Sequence, residues 1–222
     1  MTQMQPIPDE NTWRRMLRLS EELDDAICRI IGSDGYRTFD MSSRITASFQ
    51  ACSVSLEHAR GLRTLMAEDL PTSAIALMRL QFEALTHSVW LLYAAPDAAV
   101  EKLTAPLSPS NEKAANKLPM LAEMLAAIDG KAPPPALQML NQFKEITAAA
   151  LNSFVHGGIH AIKRHSEGYP VHLLIQVLRN SNGLLTITGM MFATLASDQE
   201  LMRKMSQIQT PFRECLPELL AH

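Results

Sequence analysis

Cysteine is scarce in this chain: Cys28, Cys52 and Cys215 are the only three among 222 residues, far apart and odd in number. That excludes a disulfide framework, and without a CxxC or Cys/His spacing it excludes a cysteine-based metal site too. The expectation is a reduced, cytoplasmic setting. An excess of charge of one sign is also missing. Lys plus Arg total 20 against 23 for Asp plus Glu, a net charge of -3, so nothing in the overall field draws the chain to nucleic acid or to an anionic membrane. Nor is there an uninterrupted apolar run fit to span a bilayer. The most apolar long segment, Val171 to Ala196, carries Arg179, Asn180, Ser181 and Asn182 at its middle, and an arginine at mid-membrane depth costs roughly 2.5 to 3.5 kcal/mol. The start, MTQMQPIPDENTWRRM, lacks a basic n-region followed by an apolar stretch, so no signal peptide is expected. Neither a G-x-x-x-x-G-K nor a G-x-G-x-x-G loop occurs, which removes nucleotide chemistry of those kinds. No cofactor is expected.

What remains is a chain rich in alanine, leucine and methionine, 47% hydrophobic, punctuated by proline and glycine and patterned at helical rather than alternating spacing. It is long enough for one substantial core, so residues 1–222 are read as a single all-α domain. The fold class is a helical bundle of about six to eight helices. The first should run from Asn11 to Ile31, with Trp13, Met16, Leu17, Leu23 and Ile27 on one stripe, and stop at Gly32-Ser33-Asp34-Gly35. A second runs from Asp40 or Ser42 to Asp69, with Gly61 inside it at a cost of about 1 kcal/mol. The third, Thr72 to Ala95, is apolar around most of its circumference and should be central. Pro96 to Pro109 reads as a linker or irregular turn. A fourth helix, capped by Ser110 and disturbed at Pro119, ends at Asp129-Gly130. Pro133-Pro134-Pro135 precedes a fifth, Ala136 to about His156. The sixth is Val171 to Ala196. Ser197 to Glu200 has the spacing of a capping box for a short helix, and Thr210-Pro211 opens a last one.

Chemistry has two places to reside. In RLQFEALTHSVW, Arg79, Glu83 and His87 are four apart, which puts them on one slowly drifting stripe at about 100° per residue. Trp90 falls on it too. The rest of that helix wants burial, and a buried charge needs partners. On the fifth helix Glu145, Asn152 and His156 share a stripe, with Ala148 and Ala149 small enough for close approach. If the two polar edges face each other, Arg79 pairs with Glu83 or Glu145 and His156 hydrogen-bonds across the gap. These residues read first as a register-fixing polar network and second as a ligand or catalytic site.

The stretch LNSFVHGGIHAIKRH holds three histidines around two glycines. His156 and His160 have metal-ligand spacing, but Gly157 and Gly158 between them make a poor rigid template, so no metal is expected. Gly157 or Gly158 is better read as the left-handed residue that ends the helix, with His156 in its last turn. Lys163, Arg164 and His165 then form a small solvated basic patch. Ser153 precedes His156 by one turn but lies in no G-x-S-x-G elbow. Cys52 and Cys215 read as core residues.

Through SAIALMRLQFEALTHSVWLLYAA and LNSFVHGG the chain resembles a loose group of uncharacterised bacterial all-α proteins distantly similar to HEPN-type and abortive-infection proteins. In these an Arg-x-x-x-Glu helix precedes a later helix bearing Ser-x-x-His. The resemblance implies a HEPN-like bundle, dimeric or otherwise self-associating, with an RNA or protein partner and a role in bacterial defence or stress. By match, Arg79 and Glu83 take the first motif, and Ser153 and His156 the second. The Arg-x(4 to 6)-His motif of RNase-competent members is absent. The expectation is therefore a ligand-, nucleic-acid- or partner-binding protein, with Glu145, Asn152, Ser153 and His87 lining the site. The alternatives are a metal-independent RNase using His156 and Arg79, assisted by Glu83, and a non-enzymatic scaffold.

Overall fold

The computed structural model describes residues 10–32, 36–115 and 118–218, apart from the side chains of residues 114, 115 and 146–149. Residues 1–9, the Ser33-Asp34-Gly35 stop and the side chains of Ala148 and Ala149 thus lie outside the described residues. Among these there are ten α-helices and one 3-10 turn, and no strand. The helices are α1 (Glu10–Gly32), α2 (Ser43–Ala67), α3 (Pro71–Tyr93), α4 (Asp97–Thr104), α5 (Pro109–Ala115), α6 (Leu121–Ile128), α7 (Pro134–Val155), α8 (Ile159–Glu167), α9 (Val171–Leu195) and α10 (Gln199–Gln207), followed by the turn Arg213–Cys215. No helix among the described residues is long and apolar enough to cross a membrane.

The all-α reading holds, and the count of six to eight helices was too low for identifiable reasons. The expected linker after Pro96 contains α4: Pro96 stands extended at the cap, where its missing N–H is not needed, and the Asp97 that follows suits the positive end of the helix. The expected fourth helix is two, α5 and α6, since Pro119 cannot continue a helix. The stretch after Gly158, for which no helix was expected, is α8. At the start of α10 the cap is shifted by one residue. Asp198, not Ser197, receives the amides of Glu200 and Leu201 at 2.8 and 3.0 Å, while Ser197 takes a left-handed conformation. Thr210-Pro211 leads only into the 3-10 turn.

The centre of the molecule is the antiparallel pair α2 and α3 with α9 laid against both. Their contact faces are built from small residues. A Cβ on Gly61 would lie 3.0 Å from Leu77 Cδ1, so the glycine in α2 is a point of close approach, and its propensity cost is offset by packing. One turn and more away, Ser48 and Ser88 each donate to the other's carbonyl at 2.8 and 2.9 Å. Ser55 donates to Gln81 O at 3.1 Å. The Gln81 amide donates to Ser181 O at 2.9 Å and its carbonyl accepts from the Ser181 hydroxyl at 2.7 Å. Asn182 Nδ2 bridges Ser20 Oγ and Cys215 O, both at 2.8 Å. All these polar side chains are buried, and each bond made inside a dry core fixes register, because a slip would leave its groups unpaired at about 1–3 kcal/mol apiece.

Around this centre, α1 and α10 pack on α9, where Gly189 admits Met205 Sδ at 2.8 Å and Ile27 Cγ2 at 3.1 Å from the position of its missing Cβ. On the other side, α6 and α7 cover α3. Trp90 and Phe82 are fully buried there, and the Phe82 and Phe143 rings lie 4.7 Å apart, a contact worth about 0.5–1.5 kcal/mol beyond area burial. Cys52 and Cys215 are core residues as expected, both at 0% exposure.

Candidate functional site

Helices α3 and α7 do pack side by side, but not through their polar stripes. Phe143 is the residue α7 turns to α3. Glu145, two positions on and therefore about 200° around the helix, faces solvent, as do Asn152 and His156. The polar edges expected to meet therefore do not. Arg79 is held on its own helix: its guanidinium pairs with Glu83 at 2.8 Å, is 14% exposed, and sits 6.0 Å from the Phe82 ring centre. His87, one turn further, is half-buried, and burial pulls its pKa down while the Glu83 charge partly opposes this. Trp90 continues the stripe only as a core residue. His156 ends α7, its backbone N–H donating to Asn152 O at 3.1 Å, and forms no side-chain bond with Arg79 or Glu83 among the described residues.

The stretch LNSFVHGGIHAIKRH has a more specific architecture. Gly157 takes φ +62°, the left-handed end expected of a helix C-terminus, and the chain reverses into α8. Ser153 Oγ accepts the amide of His160 at 2.9 Å and so helps to cap the next helix. Gly158 is required beside it, since a Cβ there would lie 2.6 Å from that oxygen. Together these residues pin α8 in one orientation.

That orientation closes one side of a slot of about 220 Å³ between α3, α7, α8 and α9. Its floor is apolar: Ile75 and Met78 from α3, Leu151 and Phe154 from α7, Leu173 and Val177 from α9. Its rim carries His160 and Arg164, one turn apart on α8, opposite Gln176 and Asn180 of α9. Arg164 is half-buried at this edge, whereas Lys163 and His165 are exposed. The basic patch expected here is thus split, and its arginine belongs to the slot. Lys163 takes Glu167 as partner at 3.6 Å; no described carboxylate lies within ion-pair distance of Arg164. The signal in the sequence was the i, i+4 spacing of His160 and Arg164, but only the Gly157 turn shows which way that face points.

A second charged cluster went unread. Asp24 of α1 is buried, and its Oδ2 accepts Arg60 Nε at 2.9 Å and the Arg63 guanidinium of α2. Cys28 lies alongside, receiving Arg60 Nη2 at 2.9 Å, and burial together with the Asp24 charge raises its pKa. Burial lowers that of Arg63 despite the carboxylate. This cluster ties α1 to α2 across a separate, charge-lined groove. Among the described residues no three His, Cys, Asp or Glu side chains are grouped to hold a metal ion.

No curated protein and no solved structure matches the chain significantly. A family model does, over residues 52–218, a span that takes in most of α2 and everything from α3 to the C-terminal turn, and with it the whole slot. Nothing in that match connects the chain to HEPN or abortive-infection proteins. The chain belongs to DUF6988, described as a family of unknown function.

Proposed function

We propose that this protein is a HEPN-like helical binding protein whose ligand occupies the slot between α3, α7, α8 and α9. The observation that carries the reading is the slot itself: a concave apolar floor with a few converging polar groups at one edge, the usual composition of a small-ligand site. Ser153, assigned to the site from sequence, contributes by holding α8 in place. Arg79, Glu83 and His87 support α3 from its half-exposed side. A self-associating chain in a bacterial defence or stress system is the wider setting, and the resemblance of the α3 and α7 segments to abortive-infection proteins is its support. The test is an amide-shift screen of small-molecule fragments against the ¹⁵N-labelled protein. Binders should perturb α7, α8 and the N-terminal half of α9, and should be lost in Leu151→Trp, which fills the slot. A screen whose hits all map elsewhere would sink the reading.

A second reading, metal-independent RNA cleavage, is favoured by one observation: a proton-transfer group, His160, and a cation, Arg164, share the slot's rim. It would use these in place of His156 and Arg79, which are not brought together. Incubation of total RNA with the wild-type protein, His160→Ala and His156→Ala decides it. Cleavage lost only in His160→Ala supports this reading, and equal or absent cleavage in all three removes it.

A further inference from the structure

The reading of the slot as a binding site leaves open what it takes, and its charge is lopsided. None of its lining residues is acidic, one is a guanidinium, and another is an imidazole. Of the other half-buried arginines, Arg44, Arg63 and Arg79 each have a carboxylate within 4 Å, and Arg179 donates to the Glu214 carbonyl. Arg164 is half-buried without one among the described residues. A guanidinium offers five donors in a planar fork suited to two oxygens of one anion, and beside it Gln176 and Asn180 bring amides that can donate to the same group. Behind this edge the floor offers no charge at all. Ile75, Met78, Leu151 and Val177 are each at most 4% exposed, so an occupant's inner portion meets only hydrocarbon and sulfur. The space is small too, about 220 Å³, which favours a short tail.

Resting on the slot being a binding site, we infer that its ligand is a small amphipathic anion, a carboxylate or phosphate monoester head on a short apolar tail, with the head on Arg164 and the tail on the floor. A free inorganic anion would leave the floor unused. A neutral apolar molecule would leave Arg164 unpaired. An amine would set a positive charge against a positive rim.

The test uses four probes of defined chemistry on the full chain, hexanoate, hexan-1-ol, hexylammonium and inorganic phosphate, each titrated by amide shifts or calorimetry at low salt. Hexanoate should bind at least about tenfold more tightly than hexan-1-ol, the margin expected of a charge-assisted hydrogen bond, with hexylammonium and phosphate weaker still. Arg164→Gln should erase that margin, with the variant's fold checked by a far-UV circular dichroism spectrum and urea midpoint that match the wild type. Equal affinity of hexanoate and hexan-1-ol in the wild-type protein would overturn the anionic head while sparing the slot as a site. Phosphate matching hexanoate would overturn the apolar tail. Failure of all four probes at the slot would overturn this inference, and a fragment screen equally blank there would take the site reading with it.

Discussion

Replacing Asp24 with asparagine tests the energetic core of the α1–α2 junction. The substitution keeps shape and removes one charge from a carboxylate that is 9% exposed and shared by two guanidinium groups. Arg60 is 51% exposed, so water compensates it and its pairing contributes no more than about 1 kcal/mol. Arg63 is different. Its side chain is 11% exposed, and its Nη1 is shut off from solvent with no acceptor even in the intact protein. Without Asp24 it becomes an uncompensated buried charge, a situation that costs about 3–5 kcal/mol. At roughly 2–4 °C per kcal/mol for a chain of this size, the lower figure already means a fall in Tm of about 6–12 °C. Urea unfolding monitored by far-UV circular dichroism measures the loss directly. The decisive arm is Asp24→Asn with Arg63→Met: removing the stranded charge should recover at least half of what Asp24→Asn lost. If Asp24→Asn unfolds within about 0.5 kcal/mol of the wild type, or the double variant is the less stable of the two, the argument from stranded charge is refuted.

Other outcomes follow from the geometry. Gly157→Ala forces an L-residue into φ +62° and should cost about 1–2 kcal/mol by urea denaturation. Ser153→Ala removes the acceptor for His160 N; about 1 kcal/mol of cap should disappear and amide exchange in α8 should speed up while that in α9 does not change. Gly189→Leu must displace Met205 or Ile27 from a contact that is already close, and should cost more than the roughly 1–3 kcal/mol of ordinary overpacking. Acid should destabilise the fold through His87. Its folded pKa lies below the ordinary 6.5, so the unfolded chain takes up the proton first; stability is full above about pH 6.5 and is lost as pH falls toward the depressed folded value. His87→Asn should flatten that part of a stability-against-pH curve, and an unchanged slope would show that His87 is not the group responsible.

The long helices were legible because their signal is local. Pro71 and Pro96 bracket α3, Ser42 caps α2 with an acceptor for Ile45 N at 3.4 Å, and the near-complete apolarity of α3 and α9 announced their burial. Among the short helices only α10 was, through the cap at its start. Seven to nine residues such as α4 and α8 carry too few turns for periodicity to speak, and their existence rests on what they pack against. The same limit governed the site. The i, i+4 rule put Arg79, Glu83 and His87 on one face correctly, and Arg79 does take Glu83. It could not say that α7 would present Phe143 to α3 and leave Glu145 and His156 outside. Asp24 is separated from Arg60 and Arg63 by a whole hairpin's worth of chain, and no spacing rule joins residues across that distance. The serines of α2 and α3, unremarkable in a string of letters, hold the register that the arginine stripe was expected to supply.

The reciprocal serine bonds between α2 and α3 also govern how this molecule can deform. To slide one of these helices along the other by even a single residue, the hairpin must break Ser48–Ser88 and Ser55–Gln81 in the same step, with Gly61 and Leu77 colliding on the way. The pair therefore behaves as one strut. With α8 held to α7 by the Ser153 cap, the wall of the slot is tied to the same rigid frame.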